Sequence, residues 1–161
     1  MRGITAENQV EAFIIMNKIF SILALCFIAG MMSCGDESYQ SDIPYTSFAD
    51  VFINLDLPEY NSLSFDKGYY ELDEGLRGII IYRENSTSYK AYERNCPYHP
   101  YEACATVSVH TSKLYIFCPC CQSQFNSNNG YPMGGPAQYP LREYGAYLSG
   151  RSLTITDEVL N

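Results

Sequence analysis

The positions of the cysteines constrain this chain more than any other feature of its sequence. The chain has seven cysteines, of which two lie within the first 34 residues and five lie between residues 96 and 121. The five are divided between a first loop, Cys96–Cys104, and a second loop, Cys118–Phe125. Cysteines grouped in this way act as metal ligands or as disulfide partners. The fold must therefore bring two cysteine loops to one place or give each its own role.

Each cysteine loop contains two potential metal ligands that are separated by two residues. Cys96 and His99 form a Cys-x-x-His pair, and Cys118 and Cys121 form a Cys-x-x-Cys pair. Two intervening residues allow one turn to present both donors to the same ion. The sequence therefore predicts a metal site on these four residues. The alternatives are an exposed His99 in a proline-flanked loop and a free or disulfide-bonded Cys121.

The sequence around these loops has the periodicity of β-strands. Residues 51–57 alternate apolar and polar side chains, as in a strand with one face on a core. Further short runs cover 68–72, 78–83, 89–94, 106–110, 113–117, 144–148 and 153–156, and turn sequences separate them. We expect an all-β fold of about eight strands. Because the 106–117 hairpin separates the two cysteine loops, it should bring them face to face.

The composition limits the partners and the state of the chain. Acidic residues outnumber basic ones 18 to 10, and the net charge is -8. Nucleic acid is therefore excluded as a partner, because binding it requires basic residues that neutralise phosphates. With 47% hydrophobic and 17% charged residues, the chain can form a packed core, and disorder is excluded as its main state.

The N-terminal part of the chain predicts export. A short basic start at Met16-Asn17-Lys18 is followed by an apolar run over 19–32, a pattern typical of a secretory signal. The segment Met31-Met32-Ser33-Cys34 resembles a bacterial lipobox, in which cleavage exposes a cysteine that receives lipid. Several acyl chains anchor a protein stably to a membrane. The alternative is an uncleaved anchor helix in which Cys34 is incidental.

These features predict the organisation of the chain. We expect residues 1–15 to be an over-extended start, 16–33 a lipoprotein signal peptide, 34–46 a tether and 47–161 the folded domain. The mature protein would be an exported bacterial lipoprotein that faces the periplasm or the cell surface. Once Cys26 has left with the signal peptide and Cys34 carries lipid, an odd number of cysteines remains. They cannot all pair within one chain, and this favours a metal site.

The second loop resembles a known cluster-binding sequence. Cys118–Ser123, which reads Cys-Pro-Cys-Cys-Gln-Ser, is similar to the Cys-Pro-Cys-His-Gly-Ser box of Rieske iron-sulfur proteins of the cytochrome bc type. Downstream, the glycines and prolines of residues 129–141 resemble the loop that covers the cluster in that family. The match extends from Val51 to Ile155. It implies an antiparallel β-sandwich with a small cluster-binding subdomain over residues 95–137.

The resemblance also implies a cofactor and a disulfide. The family binds a 2Fe-2S cluster through two cysteines and two histidines. Cys96 and Cys118 match its cysteine ligands, and Cys104 and Cys120 match the disulfide that joins its two boxes. The other residues implied to surround the cluster are Ser123, which matches a serine that bonds a cluster sulfide, and Gly135 and Pro136 of the covering loop.

The histidine positions depart from the family pattern. Tyr98 stands where the first histidine is expected, and His99 follows one place later, with three extra residues before Cys104. Cys121 occupies the position of the second histidine. A cluster bound here would have three cysteines and one histidine as ligands.

We expect a membrane-anchored electron carrier with a redox partner protein, rather than an enzyme. Two alternatives remain open: a cluster-free, disulfide-bonded scaffold with a binding or structural role, and a structural zinc site on the same four residues. The leader has no twin arginine before its apolar run, which is typical of export as an unfolded chain. That route favours the alternatives, because a cluster inserted before export would be lost.

Overall fold

The computed structural model describes residues 43–161. The predicted leader, the lipidation site Cys34 and the first part of the tether lie outside the described residues. Within 43–161 no helix is long and apolar enough to cross a membrane.

The described residues form ten strands and one short 3-10 helix. The elements in chain order are β1 (Val51–Asn54), a 3-10 helix (Pro58–Ser64), β2 (Tyr69–Leu72), β3 (Ile79–Arg83), β4 (Tyr89–Glu93), β5 (Ser108–Val109), β6 (Tyr115–Phe117), β7 (Gln124–Asn126), β8 (Pro132–Gly134), β9 (Glu143–Ser149) and β10 (Ser152–Val159).

Two antiparallel sheets contain these strands. The larger sheet has six strands in the order β1-β10-β9-β4-β3-β2, and the smaller has four in the order β5-β6-β7-β8. Strand β3 is buried on both faces. Its Ile79 and Ile81 belong to one hydrophobic core, and its Ile80 and Tyr82 belong to a second. Successive strand residues point to opposite faces, so an unbroken apolar run here indicates packing on both sides of the sheet.

The second core joins the two sheets and includes buried residues of both cysteine loops. Tyr92 of β4 packs there with Ile116 and Phe125 of the smaller sheet, and all three side chains are fully buried. Cys96 and Cys118 belong to the same core. The candidate site therefore lies between the two sheets and is shielded from water on its inner side.

The predicted hairpin between the cysteine loops is confirmed. Ser108 pairs with Phe117 and Val109 with Ile116. The strands are shorter than expected, and the connection is longer than two residues. The Lys113 N–H donates to the carbonyl of His110 at 2.7 Å, and Lys113 has a left-handed φ of 59°.

The predicted all-β fold is confirmed, with two additional strands and a 3-10 helix. Strands β7 and β8 have three residues each and show no periodicity in the sequence. The described end of the expected tether lies against the domain: the Arg142 guanidinium donates to the carbonyls of Ile43 and Pro44, and the Tyr45 hydroxyl donates to Asp157 at 2.8 Å.

Candidate metal centre

Backbone hydrogen bonds shape both cysteine loops. The first loop begins just after β4, where Asn95 bridges to Thr106 and the Cys96 N–H donates to the Ala105 carbonyl at 2.9 Å. The second begins just after β6, where the Gln122 N–H donates to the Cys118 carbonyl at 2.8 Å. Gln122 has a left-handed φ of 63°, which turns the chain back towards β7. Each loop is thus a closed turn at the end of a strand.

Three of the four predicted metal ligands come together. The Sγ atoms of Cys96, Cys118 and Cys121 all lie within 4.8 Å of one another, and those of Cys96 and Cys121 are 3.6 Å apart. Cys96 and Cys118 are buried, and Cys121 is partly buried. The two loops therefore meet at their thiols, as the facing arrangement predicts.

The remaining two cysteines of the loops form a disulfide. Cys104 and Cys120 are bonded, with their Cα atoms 5.4 Å apart. This pairing, implied by the family resemblance, is confirmed. It leaves Cys96, Cys118 and Cys121 as free thiols within the described part of the chain.

His99 is not part of the thiol cluster. Its side chain is exposed and lies edge-on to the Tyr98 ring, with centroids 4.1 Å apart. His99 has a left-handed φ of 53°, which is uncommon for a residue other than glycine. Its carbonyl accepts a hydrogen bond from the Glu102 N–H at 3.0 Å, which closes a turn inside the loop.

Ser123 links the thiol cluster to the glycine-proline loop. The Cys121 thiol donates to Ser123 Oγ at 3.1 Å, and the Ala137 N–H donates to the same oxygen at 3.1 Å. A Cβ at Gly135 would lie 2.5 Å from the Ser123 Cα, so only glycine permits this close approach. Pro136 is exposed beside it. The glycine-proline loop therefore lies against the second cysteine loop.

Hydrogen bonding favours a thiolate at Cys118. The Cys96 thiol, the N–H and thiol of Cys121 and the N–H of Cys120 lower the pKa of Cys118 to about 5, although burial acts in the opposite direction. Donating to Cys118, together with burial, raises the pKa of Cys96. The Cys118 sulfur is thus stabilised as an anion beside Cys96, and a bound cation would neutralise that charge.

The residue types of the thiol cluster match those that bind iron-sulfur clusters. Such clusters bind to thiolate sulfur, and a 2Fe-2S cluster takes four protein ligands. The described thiols supply three ligands, with a hydroxyl and backbone N–H groups beside them. His99 would supply the fourth only with its side chain turned inward, because its imidazole is exposed and lies outside the thiol cluster.

Two residues that hold the first loop have no signal in the sequence. Arg77 donates to carbonyl oxygens of that loop, and Glu93 accepts hydrogen bonds from the turn that carries Arg77. The sequence shows Asp73-Glu74-Gly75 only as a turn. A single arginine after a turn does not indicate which distant segment it contacts.

Neither a protein-family model nor a curated protein matches the sequence. Among solved structures, it is similar to a chain of the complex of reduced oxygenase and oxidized ferredoxin in carbazole 1,9a-dioxygenase, with a TM-score of 0.48 and 16% identity over 74% of this chain and 99% of that one. It is also similar to the ferredoxin of carbazole 1,9a-dioxygenase from Nocardioides aromaticivorans IC177, with a TM-score of 0.43 and 16% identity over 71% and 98% of the two chains. The chain itself is an all-β fold of two antiparallel sheets, with one cysteine loop between β4 and β5, the other between β6 and β7, and a disulfide that joins the two loops.

Proposed function

We propose that this protein is a one-electron carrier whose centre is an iron-sulfur cluster bound by Cys96, Cys118, Cys121 and His99. The observation that carries this proposal is the separation of the five loop cysteines into two sets. Two are joined in a disulfide, and three are gathered as free thiols within 4.8 Å of one another. A 2Fe-2S cluster, when bound, supplies the reversible one-electron chemistry.

The residues of the chain would hold and tune this centre. The three cysteines provide anionic sulfur ligands, and burial of Cys96 and Cys118 excludes water from the inner side of the site. Backbone N–H groups of the second loop and the Ser123 hydroxyl lie within hydrogen-bonding reach of the sulfurs. Hydrogen bonds to cluster ligands and solvent exclusion are two of the means by which proteins set a reduction potential.

We also propose that the carrier is an exported lipoprotein, anchored to a bacterial membrane through Cys34, that exchanges electrons with a protein partner. The lipobox-like sequence and the polar tether support the anchor. A structural disulfide is consistent with this location, because disulfides persist in oxidising compartments outside the cytoplasm.

Metal and acid-labile sulfide analysis of the protein purified from its native membrane tests the proposed function. We expect two irons and two sulfides per chain and a visible colour, because a 2Fe-2S cluster absorbs visible light and zinc or disulfides do not. A colourless protein without iron and sulfide, in which mass spectrometry finds Cys118 bonded to Cys121, would overturn the proposal. The cluster-free scaffold would then take its place.

The spacing of the thiols favours a second candidate, a structural zinc ion. Around a tetrahedral zinc with bonds of about 2.3 Å, sulfur ligands lie about 3.8 Å apart. The observed 3.6 Å between the Cys96 and Cys121 sulfurs is close to that value. The same metal analysis separates the two candidates, since this site would contain one zinc per chain and no sulfide.

A further inference from the structure

The guanidinium of Arg77 lies against the backbone of the first cysteine loop. Its Nη2 donates to the Glu102 carbonyl at 2.7 Å and lies 3.4 Å from that of Pro100. Its Nη1 donates to the Ala103 carbonyl at 2.9 Å and lies 3.5 Å from Thr106 Oγ1. One side chain from a distant turn thus contacts three carbonyls of the loop, those of residues 100, 102 and 103. A planar fork with several donors is suited to this arrangement, and an ammonium group is not.

Glu93 fixes the backbone from which Arg77 reaches the loop. This fully buried carboxylate accepts the Arg77 N–H at 3.0 Å and the Leu76 N–H at 2.9 Å. It also accepts the Asn95 N–H at 3.2 Å and the Tyr144 hydroxyl at 3.1 Å. Because Asn95 directly precedes Cys96, one carboxylate joins the Arg77 turn to the start of the first loop.

Internal hydrogen bonds and the disulfide fix the first loop at separate points. Between Cys96 and Cys104, the Glu102 N–H donates to the His99 carbonyl, and beyond them the Ala105 N–H donates to the Glu102 carbonyl. The disulfide holds the far end of the loop at Cys104. The carbonyls of Pro100, Glu102 and Ala103 lie between these fixed points, and Arg77 binds all three.

We infer that Arg77 is a positioning residue for the thiol centre: its guanidinium holds the first cysteine loop in the shape that presents Cys96 to Cys118 and Cys121. Arg77 touches none of the three sulfurs in this role and acts through the loop backbone. The inference rests on the proposed function only for its metal-binding consequence. The effect on the loop itself exists with or without a bound metal.

Two measurements on the full chain test this inference. In Arg77→Ala we expect amide hydrogen exchange at Cys96, Glu102 and Ala105 to accelerate about tenfold or more, because hydrogen bonds to a charged group are lost. Exchange at Gln122 in the second loop should stay close to wild type. With cobalt(II) as the probe, the affinity read from thiolate-to-cobalt absorption should fall by about tenfold or more, since Cys96 is no longer held in place.

Three further samples separate positioning from general stability. Arg83→Ala is the matched control, because Arg83 also caps backbone carbonyls, those of Leu63 and Asn85, but not in the cysteine loops. It should leave exchange in the first loop and cobalt affinity unchanged. Arg77→Lys, which keeps the charge and lacks the fork, should fall between wild type and Arg77→Ala. Added ethylguanidinium should restore cobalt affinity to Arg77→Ala and not alter Arg83→Ala.

The role of Arg77 and the proposed iron-sulfur function fail under different outcomes. Unchanged exchange in the first loop of both Arg77 variants, or equal acceleration in the two cysteine loops, overturns the role of Arg77. If the wild-type chain binds neither iron nor cobalt, the proposed function fails, and the hydrogen-exchange comparison still decides whether Arg77 orders the loop.

Discussion

Cys96 and Cys121 are 25 positions apart in the chain, and their sulfur atoms lie 3.6 Å from each other. The contact joins the start of the first cysteine loop to the second loop, across the core between the two sheets. The disulfide joins the other end of the first loop to the residue beside Cys121. Two sulfur contacts therefore tie the loops together, one by a covalent bond and one through thiols that a metal would bridge.

The disulfide should stabilise the domain. Cys104 and Cys120 are separated by 16 residues, and closing a loop of this length contributes about 3 kcal/mol by restricting the unfolded chain. We expect the variant carrying both Cys104→Ala and Cys120→Ala to lose about this free energy of unfolding in chemical denaturation. Peptide mapping without reductant should find this pair in the wild type, and a Cys96–Cys104 bond in its place would contradict the assignment.

The three thiols of the site could be predicted from the sequence, and the residues that hold the first loop could not. Cysteine spacing and the family resemblance identify Cys96, Cys118 and Cys121, because ligand spacing is a local property of the chain. Arg77 and Glu93 could not be predicted, because their roles depend on which distant backbone the folded chain brings to them.

Some strands could likewise be predicted from local sequence, and others form only through pairing with other strands. The run Ile79–Arg83 is visible from its β-branched residues. Strands β7 and β8 are too short to show a period, and they form because the hairpin β5-β6 offers an edge to pair with. The sequence indicates neither the exposed position of His99 nor its left-handed backbone conformation.

Membrane attachment through Cys34 is a separate prediction. Cys34→Ser removes the sulfur that would receive lipid, so the protein should leave the membrane fraction or accumulate as an unprocessed precursor. A companion prediction is that deletion of codons 1–15, the expected over-extended start, leaves export unchanged. Processing at the same bond and retention in the membrane by Cys34→Ser would show that the lipoprotein hypothesis is wrong.

The close approach of Gly135 to Ser123 predicts different effects of two glycine substitutions. Gly135 and Gly150 both have a left-handed φ, of 85° and 61°. A Cβ at Gly150 meets nothing within 4 Å, so Gly150→Ala should cost only the backbone strain, about 1 kcal/mol. Gly135→Ala adds a clash with the Ser123 backbone and should cost more and reduce metal retention. Equal losses in thermal unfolding would show that the covering loop moves freely.

The lowered pKa of Cys118 predicts how the stability of the metal-free protein depends on pH. The pKa of Cys118 is about 5 in the folded chain, and that of an unfolded thiol is about 8.5. Between these values folding releases a proton, so the free energy of unfolding should rise with pH and fall as pH approaches 5. The pKa of Cys96 is raised, so this thiol changes the free energy of unfolding only at pH values above the pKa of an unfolded thiol. It therefore does not oppose the trend between pH 5 and 8.

Chemical denaturation of the metal-free chain at several pH values between 5 and 8 measures the effect. Cys118→Ala is the control, because it removes the titrating group and should flatten the slope. A wild-type slope that equals that of Cys118→Ala would show that Cys118 is not a stabilised thiolate.

The last prediction concerns the potential of the proposed cluster. A thiolate ligand is anionic and an imidazole is neutral, so Cys121 adds negative charge and favours the oxidised form. The potential should lie below the Rieske range of about -150 to +300 mV, towards the plant-type value near -400 mV. Cys121→His restores the neutral ligand of the family pattern and should raise the potential, as protein-film voltammetry can measure. With His99 as the single imidazole ligand, the potential of the native protein should change with pH in one step, and Cys121→His should add a second. A native potential inside the Rieske range, or one that Cys121→His leaves unchanged, would show that Cys121 does not bind the cluster.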